Sequence, residues 1–193
     1  MKLILASASP RRKSLMEVLG LDFEIKVSNC KEIIDYSDKI ENIVMSLALQ
    51  KARDVANNSD NKCIVIGADT VVFCENEILG KPKDYEDALR MLRLLSGNTH
   101  SVYTGFSIIN TANNYVITDY EKTDVTFKKL SEKEIIEYVN TANVKDKAGS
   151  YSIQGTASSF VSELNGDYNN VVGLPIYKLS KYLYNTFNIK GAN

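Results

Sequence analysis

A mixed α/β fold, with helices on both faces of its sheet, is predicted by three observations. Strand-like and helix-like segments alternate along the chain. Two long strand-like stretches, 100–110 and 115–127, are separated only by a turn, so a hairpin joins whatever parallel strands the alternation builds. The 193 residues, 44% hydrophobic and 24% charged, suffice for one large α/β domain or two small lobes.

The elements follow in order. Residues 2–7 read as a buried strand and 10–20 as a helix, with Ser9 as its N-cap and Pro10 at its first position. "DFEIKVS" (22–28) alternates like a second strand. Residues 40–57 place Ile40, Ile43, Val44, Leu47, Ala48 and Val55 on one helical stripe. "KCIVIGADTVVFC" (62–74), rich in β-branched residues, reads as one or two buried strands around Gly67, with a tight turn at 76–77. Residues 84–96 form a helix through Tyr85, Ala88, Leu89, Leu92 and Leu95. The hairpin turns near Asn113–Asn114. A capping box, Ser131 with Glu134, opens a helix over 131–141. "SSFVSEL" and "YNNVVGL" look like late strands flanking Asn165–Gly166, and Pro175 opens a last helix to about residue 187.

Composition narrows the function. Lys plus Arg number 23 and Asp plus Glu 24, a net charge of −1. Without a global basic field, a general nucleic-acid binder is disfavoured and any anion site must be local. Cys30, Cys63 and Cys74 are odd in number and form no CxxC pair. Reduced thiols, rather than disulfides or a zinc site, are expected. The start "MKLILAS" is too short for a signal peptide and no apolar run reaches membrane length. A cytoplasmic protein without a membrane partner is expected.

Chemistry concentrates in a few places. Three cations, Arg11, Arg12 and Lys13, crowd the first turn of a helix, whose positive end prefers anions. With Ser7 and Ser9 they form either an anion site or a solvated basic turn. Asp69 closes the apolar run "VIGAD", where a carboxylate can bind a cation, activate water, or serve as a turn cap. Thr70 follows it. Lys51 interrupts an apolar stripe, either snorkelling or facing a bound anion. Lys81 lies in the constrained loop "LGKPK", and Glu32 follows a strand. The small, polar stretch 146–160 contains Gln154, whose amide can read a base edge. The lone His100 reads as structural. Cations suit phosphates, acids without a His or Cys cluster suit a hard metal such as Mg²⁺, and a polar loop with glutamine suits a base. Together they suggest a nucleotide.

"LASASPRRKSLMEVLG", "LALQKARDV", "VIGADTVV", "LGKPKDYEDALRMLRLLSGNTHSVYTG", "DVTFKKLSEKEIIEYV", "DKAGSYSIQG" and "NVVGLPI" stand in the order seen in the Maf family, and the chain resembles that family from about residue 3 to residue 183. The resemblance implies a fold similar to inosine triphosphate pyrophosphatases: a curved mixed sheet and one domain over 1–193, with two lobes around a nucleotide-binding cleft, often as a homodimer. It implies hydrolysis between the α and β phosphates of a nucleoside triphosphate, with a divalent cation, Mg²⁺ or Mn²⁺. Asp69 matches the family's proton acceptor and Glu32 its second acid, the two positions nearest metal and water. Ser9, Arg11, Arg12, Lys51 and Lys81 match its phosphate-binding and cleft-lining positions. Arg12, Thr70 and Gln154 match the set of a dTTP/UTP-preferring subfamily rather than one acting on 7-methyl-GTP. Ser152 and Ala157 stand where glycines are usual, and Lys31 where an acid often precedes Glu32. A competing reading is a nucleotide-binding regulator of septum formation with little turnover. Retention of both acids favours the enzyme, since phosphate binding alone needs only cations.

Overall fold

The computed structural model describes residues 1–59 and 62–189. Its strands are β1 (Lys2–Leu5), β2 (Glu24–Ile25), β3 (Cys63–Cys74), β4 (Glu77–Leu79), β5 (Thr99–Asn110), β6 (Tyr115–Phe127) and β7 (Val161–Asn165). Its helices are α1 (Pro10–Val18), α2 (Ile40–Asn57), α3 (Tyr85–Leu95), α4 (Glu132–Thr141), α5 (Tyr168–Val172) and α6 (Ile176–Phe187). The strands form one mixed sheet in the order β2-β1-β3-β5-β6-β7, with β4 paired to β3 off this path. β1 runs parallel to β2 and β3, whereas β4 is antiparallel to β3 and β7 to β6. The mixed α/β class expected from the alternation is the one observed.

The chain divides into two compact units. The first comprises Met1–Asp69, Thr104–Glu121 and the residues from Gly173 onward; the second comprises Thr70–Tyr103 and Lys122–Val172.

In the first unit Ile4, Ala6, Ala52, Val55, Cys63, Val65 and Ile109 pack into one cluster. Helix α2 lies against β3 and β5 at backbone distance. A Cβ on Gly67 would stand 2.4 Å from the Ala48 carbonyl oxygen and 2.7 Å from the Ala52 nitrogen. One on Gly105 would stand 2.4 Å from the Val44 carbonyl. Only glycine permits this seat at either place. At α1, Ser9 caps by accepting from the Arg12 N–H at 3.4 Å, with Pro10 at the first position as expected.

In the second unit Asp84 caps α3, accepting from the Asp87 N–H at 2.8 Å. The capping box of α4 is complete: Ser131 Oγ accepts from the Glu134 N–H, and the Glu134 carboxylate accepts from the Ser131 N–H at 2.8 Å. His100, Phe127, Tyr151, Phe160 and Tyr138 interlock edge to face.

Five expectations need correction. β3 is one continuous strand, so Asp69 lies within it rather than at its end. The turn after β3 is Glu75–Asn76, one residue early; both have positive φ, as a two-residue hairpin turn requires. Of 22–28 only Glu24–Ile25 is strand; the Lys26 N–H still donates to the Leu5 carbonyl at 3.1 Å, but from Ser28 onward the chain bonds Asp54 of α2. Residues 158–160 belong to a 3₁₀ helix, Gly155–Phe160, before β7 starts at Val161. "YNNVVGL" is helical over Tyr168–Val172, with the Asp167 carboxylate accepting from the Asn169 N–H at 2.7 Å.

Candidate active site

β1 delivers the chain to Ser7, which is buried, and α1 starts three residues later. The Ser7 hydroxyl accepts from the Ser9 N–H at 3.2 Å and from Arg12 Nη1 at 3.3 Å. Arg12 Nε donates to the Gly173 carbonyl at 2.8 Å. The guanidinium is thereby fixed to the chain just before α6. Burial pushes the Arg12 pKa down; Asp69 opposes this, Arg11 adds to it and Glu32 opposes it. A guanidinium keeps its charge throughout. The basic triplet therefore splits. Arg12, held by Ser7 and the Gly173 carbonyl, feels the charges of Asp69, Arg11 and Glu32, whereas Lys13 pairs with Glu17 along the surface of α1 at 3.6 Å.

Lys51 joins the two acids. Its ammonium lies 2.5 Å from Asp69 Oδ1 and 2.9 Å from Glu32 Oε1. The lysine does not snorkel to solvent: its side chain is 18% exposed, that of Asp69 14% and that of Glu32 43%. The local reason is the seat of α2. Ala48 and Ala52 meet β3 at Gly67, which leaves Lys51, between them in sequence, beside the residue two positions along that strand. On one edge of β3, pairing with β1 ends at Ile66 and pairing with β4 begins at Val72. Asp69 falls in that interval, so the carboxylate stands where this edge lacks a regular neighbour.

Two carboxylates around one point fit a divalent cation of the Mg²⁺ kind. Such an ion takes one or two protein carboxylates and fills its octahedron with phosphate oxygens and water. Lys51 engages one oxygen of each acid, so each retains a second. Among the described residues no group of three or more His, Cys, Asp or Glu could hold an ion by itself. The donor set fits an ion shared with a phosphate ligand, not a closed protein cage.

The remaining expected residues lie in the second unit. Thr70 is half-buried on β3. Lys81 is exposed, directly after Gly80, whose carbonyl accepts from the Gly149 N–H at 3.0 Å. Gly149 has positive φ, and a Cβ there would stand 3.0 Å from a Val72 methyl. Within this unit the Lys81 loop, the start of the polar stretch and the strand bearing Thr70 are thus tied together. Gln154 is exposed and caps the 3₁₀ helix, its N–H donating to Ser152 Oγ at 3.3 Å. His100 is buried with Nε2 2.7 Å from the Tyr151 hydroxyl, in keeping with a structural role. Cys63 and Cys74 are buried and Cys30 half-buried, all as free thiols.

Sequence reasoning missed three participants. The Gly173 carbonyl gives no signal, since any residue has one. Gln50 and Asp54 bond the segment that bears Glu32. Their four-residue spacing on α2 was the available sign, hidden because polar residues on a helix commonly face water.

A family model described as Maf-like protein matches residues 2–186. The chain is 52% identical over 188 residues to a protein of Alkaliphilus oremlandii named dTTP/UTP pyrophosphatase, covering 97% of each. It is 55% identical over 189 residues to a Bacillus cereus protein of the same name, covering 97% of this chain and 96% of that one. Among solved structures, the Staphylococcus aureus Ham1 protein is similar with a TM-score of 0.54 at 14% identity, over 96% of this chain and 99% of that one. A HAM1 protein from Coxiella burnetii is similar with a TM-score of 0.53 at 15% identity, over 96% and 100%. At such identity these two likenesses establish the fold alone. The family match and the relatives, each spanning nearly the whole chain, go further: the chain belongs to the Maf family.

Proposed function

We propose that this chain hydrolyses dTTP and UTP to the nucleoside monophosphate and pyrophosphate. The observation that carries the reading is the Glu32–Lys51–Asp69 arrangement, with the cations Arg11 and Arg12 beside it at a helix N-terminus. The names of the relatives supply the nucleotides.

Asp69 takes a proton from the water that attacks the α phosphorus, as general base. The bond from that phosphorus to the bridging oxygen breaks, and pyrophosphate leaves with the electron pair. Ser7, Ser9, Arg11, Arg12 and the N–H groups opening α1 hold phosphate oxygens. Lys51, fixed by its two acids, places a positive charge beside Asp69, and Lys81 supplies a second as charge builds on the leaving group. Glu32 and Asp69 would hold Mg²⁺ or Mn²⁺. Such an ion would supply positive charge to the phosphates and lower the pKa of water. Thr70 and Gln154 face the base with a hydroxyl and an amide, which match the two carbonyls and one N–H of uracil or thymine. The reading extends to a cytoplasmic homodimer acting on free nucleotides, as the family resemblance implies.

The test is hydrolysis of dTTP, UTP, ATP, GTP and 7-methyl-GTP with Mg²⁺, the products separated by anion exchange. Monophosphate plus pyrophosphate, with kcat/KM highest for dTTP and UTP, is expected. Asp69→Asn in the same assay should lower kcat by about 10²–10⁴-fold. Diphosphate plus orthophosphate, or a preference for 7-methyl-GTP, would overturn the reading.

A further inference from the structure

Glu32 lies in a stretch, residues 26–35, with neither helix nor strand, yet its carboxylate is held 2.9 Å from Lys51. What holds it is a row of polar residues on α2. Ser46, Gln50 and Asp54 recur every four residues, which places them on one face. Gln50 Oε1 accepts from the Ile33 N–H at 2.9 Å, and Gln50 Nε2 donates to the Ile33 carbonyl at 2.8 Å. One side-chain amide thus takes both backbone groups of the residue after Glu32, as a neighbouring strand would. Ser46 Oγ accepts from Gln50 Nε2 at 3.2 Å and sets which way the amide faces. On the other side of Glu32, Asp54 Oδ2 accepts from the Ser28 hydroxyl at 2.7 Å and from the Asn29 N–H at 2.8 Å.

The Ile33 side chain is 75% exposed, so the segment is not drawn down by apolar burial, and water could satisfy its backbone groups. The clamp does fix the spacing of Glu32 from the helix that carries Lys51. We propose that Gln50, supported by Ser46 and Asp54, is a positioning residue that fixes Glu32 as an oxygen donor to the divalent cation of the bound nucleotide. The inference rests on the pyrophosphatase reading above. Residues one layer behind a metal ligand commonly govern its orientation and affinity.

The experiment compares the wild-type chain with Gln50→Met, Glu32→Gln and the double variant. Mn²⁺ is titrated into each in the presence of α,β-imido-UTP and followed by water-proton relaxation. The Mg²⁺ concentration for half-maximal dTTP hydrolysis is measured in parallel. Gln50→Met should weaken Mn²⁺ binding about tenfold and raise the half-saturating Mg²⁺ similarly, with kcat at saturating Mg²⁺ kept within ~threefold. On the Glu32→Gln background, Gln50→Met should add nothing, because the two act on one interaction. Asp54→Ala should move Mn²⁺ affinity in the same direction. Unchanged Mn²⁺ affinity in Gln50→Met, an equal loss on both backgrounds, or a wild type that binds no Mn²⁺ would each overturn the proposal. Wild-type Mn²⁺ binding without pyrophosphate release would instead overturn the pyrophosphatase reading, while the titrations still decide the clamp.

Discussion

The chain has a single histidine, and its surroundings decide its charge. His100 is packed between Phe127 and Tyr151, and among the described residues its Nδ1 has no hydrogen-bond partner. Burial pushes its pKa down from 6.5 to about 4, opposed by the charge of Asp124. Between these values the unfolded chain binds the proton that the folded chain refuses. Stability from this group is therefore full above about pH 6.5 and falls as pH drops towards 4, by roughly 3 kcal/mol. Urea unfolding across that range should show the loss, and His100→Gln should flatten it. The histidine Cε1–H resonance, unambiguous because there is only one, should stay at its neutral position down to about pH 5. A midpoint near 6.5 would contradict the burial argument. That His100 is structural was legible in the sequence from its isolation. That its imidazole would lie inside an aromatic cluster was not, because Tyr151 and Phe127 are brought to it by long-range pairing.

Among elements, those with periodicity or capping chemistry were readable and the short ones were not. The Ser9–Pro10 start of α1, the stripe of α2 and the Ser131–Glu134 box each carry a local physical signal, and each appears as expected. Helix α5 has five residues, too few for a period, and its Val171–Val172 pair favours strand. The Asp167 side chain and the turn at Gly173, with positive φ, override that preference. The close seat of α2 has a testable cost. Gly67→Ala would set a methyl against the Ala48 carbonyl at 2.4 Å, and backbone cannot rotate aside. Overpacking should cost about 1–3 kcal/mol, seen as a lower urea midpoint, and kcat should fall because α2 carries Lys51 away from Asp69. Gly80→Ala, with nothing within 4 Å of the added carbon, is the matching stability control. Equal midpoints for both variants would show that the seat yields freely.

For the molecule as a whole, the chemistry was legible as residue types but not as an assembly. Glu32, Lys51 and Asp69 stand on a loop, a helix and a strand; nothing local announces that they meet. Their meeting depends on Gly67, which in the sequence only divided an apolar run. The chain's net charge of −1 was informative by contrast, because it required any anion site to be local; in the proposed function Arg11 and Arg12 supply that local charge. In the proposed function Asp69 belongs to the first unit and Gln154 to the second. Gln154→Glu should therefore leave the Glu32–Lys51–Asp69 arrangement intact. It should lower kcat/KM for UTP and dTTP, since a carboxylate cannot donate to a pyrimidine carbonyl, while the product remains pyrophosphate. Steady-state kinetics on UTP decide it: an unchanged kcat/KM would remove Gln154 from base recognition.

Helix α2 presents small residues to the sheet, a polar row to the Glu32 segment and one lysine to the two acids. Each residue advances the helix by about 100°, so inserting or deleting a single residue would turn the faces beyond it away from their partners while those before it keep theirs. Exchange at outward positions such as Arg53 and Asn57 leaves these faces in place, whereas a change of length between Val44 and Asp54 does not.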